Sequence, residues 1–139
     1  MADVVTSQTI VDTAGTKTVM KFTNMSDGSG ETLVTKMDAS ALNFMTEDAN
    51  RVLAKIYWSV NTTNGKSGVE ILWAGSGDSA ANATIGFFSG RGFHDYHTAG
   101  NSIPNNATLT ANTSPAGDIL FSTKGFVAGD NYTIILEVR

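Results

Sequence analysis

The feature that most constrains this chain is apolar alternation with a period of two, in strand-length runs broken by glycine- and asparagine-bearing turns. Over 51–61, Val52, Ala54, Ile56, Trp58 and Val60 fall on one face, against Arg51, Lys55 and Tyr57 on the other. A helix would scatter these residues around its circumference, whereas a strand collects them on one side. The same period places Thr18, Met20, Phe22 and Asn24 together in 16–25, and sets Val69, Ile71 and Trp73 against Glu70 and Leu72 in 69–74. Further strand-length runs are Val4 to Val11, Glu31 to Asp38, Ala83 to Ser89, a short one at Phe93 to Tyr96, Asp118 to Lys124 and Tyr132 to Val138.

The intervening segments carry turn chemistry. Ser26-Asp27-Gly28-Ser29-Gly30 supplies glycines for positive φ and an Asp that bonds its own backbone, and Asn64-Gly65 is a strong turn pair. These segments predict three hairpins: 16–25 with 31–38, 51–61 with 69–74, and 118–124 with 132–138. The stretch 39–50 reads as a connection with one turn of helix, started by Ser40 or at Thr46-Glu47-Asp48. The stretch 97–117, rich in Asn, Thr, Ala and Gly with both prolines, reads as a long loop. Eight or nine short strands without a convincing long helix imply an all-β domain over 1–139, an antiparallel β-sandwich or jelly-roll-like barrel, with an N-terminal arm over 1–12.

Composition agrees and narrows the function classes. Charged residues are only 16 % of the 139, replaced by Thr, Ser, Asn and 14 glycines, against the roughly one quarter of average proteins. A net charge of −4 offers no electrostatic ground for nucleic acid or an anionic membrane, both of which need clustered Lys and Arg. With no cysteine, a disulfide framework, a thiolate nucleophile and a zinc–thiolate site are excluded. The start lacks a basic, apolar leader pattern, and no run approaches the ~18 apolar residues of a membrane span. The expectation is a chain made in the cytoplasm and left unprocessed.

Few residues suggest chemistry. His94-Asp95-Tyr96-His97 is the one histidine cluster, but positions three apart on a strand point to opposite faces, so an irregular surface segment is the commoner reading. Asp27 to Glu31 lacks the alternating oxygen ligands of a calcium loop, and Gly86, Gly90 and Gly92 lack the strand–turn–helix setting of a dinucleotide site. Serines with His94 or His97 have no nucleophile-elbow context. Trp58, Trp73, Phe88, Tyr57 and Tyr96 are candidates for a sugar-stacking platform, although the alternation makes both tryptophans core residues. The expectation is no enzyme, no metal and no cofactor.

Four stretches carry a family likeness: Ala2-Asp3-Val4-Val5-Thr6-Ser7-Gln8-Thr9, the run from Met20 to Thr32, Lys55-Ile56-Tyr57-Trp58, and the ending Gly117 to Thr123 with Gly129 to Glu137. In them the chain resembles small virion structural proteins of tailed bacteriophages, especially marine and cyanobacterial ones. The resemblance implies a capsid decoration or cement protein on the virion's capsid surface, stabilising contacts between subunits of the major capsid protein. It implies other virion subunits as partners and a homo-oligomer, with a trimer as one form. A tail, connector or fibre-associated virion protein is the alternative within that class, and a carbohydrate-binding β-sandwich module the alternative outside it. The residues expected at interfaces are Val4, Val5, Thr6 and Gln8 of the arm, which would add a strand to a neighbouring sheet edge, and Arg91, Phe93, His94, Tyr96 and His97. The loops 75–83 and 91–117 are expected to share in those contacts.

Overall fold

Each period-two run becomes a strand, and each strand's partners follow from how two apolar sheet faces cover one another. The computed structural model describes residues 3–13, 15–42, 52–75, 82–98, 100, 102–104 and 115–139. Along the chain the strands are β1 (Val4–Thr13), β2 (Lys17–Met25), β3 (Val34–Met37), β4 (Val52–Asn61), β5 (Gly68–Gly75), β6 (Ala83–Phe88), β7 (Gly90–Asp95), the two-residue β8 (Ile103–Pro104), β9 (Pro115–Lys124) and β10 (Asn131–Val138). A single 3-10 turn, Ala39–Ala41, follows β3. The Thr46-Glu47-Asp48 alternative, most of the 97–117 loop and most of the 75–83 loop lie outside the described residues.

The strands form two antiparallel sheets, one ordered β1-β2-β10-β4-β7 with β8 beside the start of β4, the other β3-β9-β5-β6. This is an open β-sandwich, and the sheets do not close into a jelly-roll-like barrel. Its core joins Met20 and Phe22 of β2, Leu53, Ile56 and Val60 of β4, and Tyr132, Ile134, Leu136 and Val138 of β10 to Val69, Ile71 and Trp73 of β5 and Ile119 and Phe121 of β9. Phe22 meets Phe121 edge-on at 5.2 Å between ring centroids, and Tyr132 meets the same ring at 5.8 Å. Leu72, Ala74 and Leu120 make a smaller buried cluster.

All three expected hairpins are overturned by the pairing. β2 pairs with β1 and β10 while β3 pairs with β9; β4 pairs with β10, β7 and β8 while β5 pairs with β6 and β9; β9 and β10 lie in different sheets. The connections 26–33, 62–67 and 125–130 therefore carry the chain across the sandwich. They are longer than the two-residue turns that hold a reversal in the plane of one sheet. Both strands of each pair bury one apolar face, and crossing over lets those faces meet each other. A sequence-adjacent reversal that does stay in one sheet is β1–β2, through Gly15 at φ 77°. The N-terminal segment is thus a strand of its own sheet.

The two sides of the sandwich differ. On one, β6 runs through Ser89 into β7, leaving β5 and joining β4, so a single bent strand links the sheets. Gly90, at φ 66°, makes the bend. Trp58 lies beneath it, edge-on to Phe88 at 5.0 Å and donating Nε1–H to the Ser89 carbonyl at 3.1 Å. On the other side, among the described residues, both sheets end in free edges, β1 and β3.

Candidate functional site

β1 pairs in register with β2 from Val4↔Met25 to Thr9↔Met20, then shifts by one residue at Ile10 before Val11↔Val19. Such a bulge adds twist and interrupts the ladder. Val5, Ser7 and Thr9 lie opposite Asn24, Phe22 and Met20, the buried face of β2, and yet are exposed. Val4, Thr6 and Gln8 on the other face are exposed too. The four-stranded sheet ends at β3, so among the described residues nothing covers β1 from below. Val4 is 64 % exposed and Ile10 51 %.

A buried polar cluster anchors the start of this strand. Glu31 and Lys36 form a salt bridge at 2.5 Å with both side chains almost fully enclosed. The remaining Glu31 oxygen accepts from the Tyr132 hydroxyl at 2.6 Å and from Asn24 Nδ2 at 3.1 Å. Burial, then the Glu31 contact, push the Tyr132 hydroxyl well above its ordinary range. Asn24 Nδ2 also donates to Asp3 at 3.0 Å, and Asp3 accepts from the Asp27 N–H and the Ser29 hydroxyl. Slight burial opposes ionisation of Asp3, but these donors prevail and hold its carboxyl down to about 2. A buried ion pair leaves no periodic signal, and in the sequence Glu31 stands only at the end of a stretch that lacks calcium-loop ligands and at the start of the run Glu31 to Asp38.

Arg91, Phe93 and His94 lie on β7, at the far edge of the six-stranded sheet, with Tyr96 and His97 in the turn that follows. Four strand intervals separate β7 from β1, about 19 Å at the usual spacing, so the expected interface residues form two patches. Arg91, His94 and His97 are exposed. Tyr96 is half-buried, packs against the core and lies tilted against His94 with ring centroids 4.1 Å apart. Phe93, 63 % exposed, pairs across the ladder with Tyr57, 39 % exposed, and both share the outer face of the sheet. The turn is held by the Thr98 N–H and hydroxyl donating to Asp95 at 2.8 and 2.6 Å and by the His97 N–H donating to the Ala54 carbonyl. Those Thr98 bonds, then the Lys55 charge, keep the Asp95 carboxyl below its usual value.

No group of three or more His, Cys, Asp or Glu side chains that could hold a metal occurs among the described residues. Nor does the structure gather the five aromatic residues into a platform: Trp73 and Phe88 are buried, Trp58 and Tyr96 are half-buried against the core, and only Tyr57 is exposed. An open pocket of about 270 Å³ lies between the 65–68 turn, Phe87, Ser89 and Lys124. It holds no convergent set of polar groups beyond Lys66, Lys124 and two serines. No family model, curated protein or solved structure matches this chain.

Proposed function

We propose that this chain is a structural subunit of a phage virion, and specifically a decoration protein that binds the outside of the head and bridges major capsid subunits. The observation that carries the reading is the exposure of apolar strand residues at both edges of one sheet, Val4, Val5 and Ile10 at β1 and Phe93 beside Tyr57 at β7 and β4. Apolar groups on two opposite edges suit a subunit seated between neighbours, where each edge meets a different surface. The sequence resemblance supplies the virion context, and the well-covered core supplies a rigid body to hold the two edges apart. Many copies at symmetry-related sites would make modest contacts collectively strong.

The test is a phage lacking the gene for this chain. Heads without it are expected to release their DNA at a lower temperature than the parent, and adding back the purified protein is expected to restore the parental temperature. Unchanged release, together with a head surface that a labelled antibody against the chain does not decorate, contradicts the proposal. Labelling confined to the tail moves the chain to the tail-associated class.

A further inference from the structure

The free edge of β1 has the character of a strand made to be paired. From Val4 to Val11 it carries no charged residue and no proline, two of the devices that keep an exposed edge from accepting another strand, and its bulge comes only at Ile10. Among the described residues its outer backbone groups meet no strand, and its side chains from Val4 to Ile10 are exposed on both faces. Asp3 and its partners pin the N-terminal end against the β2–β3 connection, so the edge is presented in a fixed position.

We propose that the partner is a second copy of this chain, whose β1 pairs antiparallel with β1 across a two-fold axis at Ser7. That register sets Ser7 against the partner's Ser7, Thr6 against the partner's Gln8, Val5 against the partner's Thr9, and Val4 against the partner's Ile10. The most exposed apolar residues of the strand, Val4 and Ile10, thus cover each other twice, once on each side of the axis. Asp3 and Asp12 stay apart, since both lie outside the paired segment Val4 to Ile10. Two copies of a chain of net charge −4 meet at this uncharged edge without like charges facing each other. A basic or acidic partner would find no complementary charge here. The bulge at Ile10 ends the regular ladder where the pairing ends. The result is one continuous sheet through both molecules, which gives the β1 edge to a copy of the chain and leaves the Phe93–Tyr57 edge as the one open to a capsid subunit.

The absence of cysteine makes the register directly testable in the purified full-length protein. Sedimentation velocity over a concentration series is expected to show a monomer–dimer equilibrium, and Ser7→Lys, which sets two ammonium groups face to face at an exposed position, is expected to stay monomeric with an unchanged circular dichroism spectrum. Under mild oxidation Ser7→Cys is expected to cross-link roughly tenfold faster than Val4→Cys, because the paired Cα separation at the axis suits a disulfide and the offset at position 4 does not. A monomer at every concentration overturns the proposal. So does a Ser7→Lys variant that dimerises like its parent, or equal cross-linking of the two thiol variants. None of these measurements involves a virion, so they fail or succeed separately from the decoration role.

Discussion

Gly92 shows how a single residue fits two elements together. It lies opposite Trp58 in the β4–β7 ladder, and a Cβ built on it would collide with the Trp58 ring. The indole can therefore lie across β7 only because that position is bare. Gly92→Ala is expected to lower the unfolding free energy by about 1–3 kcal/mol, the range of an overpacked site, measured by urea denaturation. The same substitution in a Trp58→Leu background is expected to cost much less, since the clash is gone. A second residue-scale expectation concerns the buried pair. Lys36→Met leaves the Glu31 carboxylate enclosed without its cation, and a loss of about 3–5 kcal/mol is expected. The double variant Glu31→Gln with Lys36→Met is expected to recover part of that loss, because no unpaired charge is then buried. Neither role is legible in the sequence: Gly92 stands there only as one of three glycines without a dinucleotide-site setting, and Glu31 and Lys36 fall in the run Glu31 to Asp38 with no sign that they pair.

At the scale of elements, β1 is the strand with the most to lose from a local change. One edge and both faces lack cover from Val4 to Ile10 among the described residues, and its hold on the rest is the β2 ladder together with the Asp3 anchor. Asp3→Asn is expected to speed hydrogen exchange at the amides of Val4 to Ser7 while leaving β10 unchanged, because β10 is paired on both sides. Equal protection in the variant would show that the ladder alone holds the strand. The positions of most strands were legible, since period two reports which face a strand buries. Their partners were not, because a Gly- or Asn-rich reversal looks the same whether the chain returns alongside itself or crosses to the opposite sheet. The closing pair shows the difficulty: Ile119 and Phe121 face Tyr132 and Ile134 across the core, and two complementary apolar faces joined by a short connection resemble a hairpin in sequence. Of the residues expected at interfaces, Val4, Val5, Thr6 and Gln8 on β1, Arg91, Phe93 and His94 on β7, and His97 in the following turn are exposed. Tyr96 instead packs inward, as an aromatic beside a sheet edge often does.

At the scale of the molecule, stability should depend on pH in a direction set by several carboxylates. Asp3, Asp95 and Asp130 lie below 3.8: Asp3 through its donors despite slight burial, Asp95 through Thr98, and Asp130 chiefly through the Val127 N–H and then Thr63. Burial works against Glu137, but Arg139, Lys17 and Lys55 outweigh it and hold it below 4.5. A depressed folded value means that the contribution is complete above the unfolded value and is lost as pH falls through the folded one. The unfolding free energy is thus expected to be level from about pH 6 to 8 and to decline below about pH 4.5. Asp118 opposes this in part, because burial raises it in spite of the Ala39 N–H. Tyr132 adds a loss at the alkaline end: its folded value lies above 10.0, so its contribution is present below the unfolded value and fades as pH rises past it. Denaturation midpoints across pH 2 to 11 check both limbs. On the proposed reading, the sandwich works through its strand edges. The most direct test of the proposed decoration role is a side-chain-resolution reconstruction of virions assembled with this chain. The expected result is this fold on the head, with the β1 edge or the Phe93–Tyr57 face against neighbouring subunits. A particle without it, or with both of those surfaces open to solvent, would contradict the account.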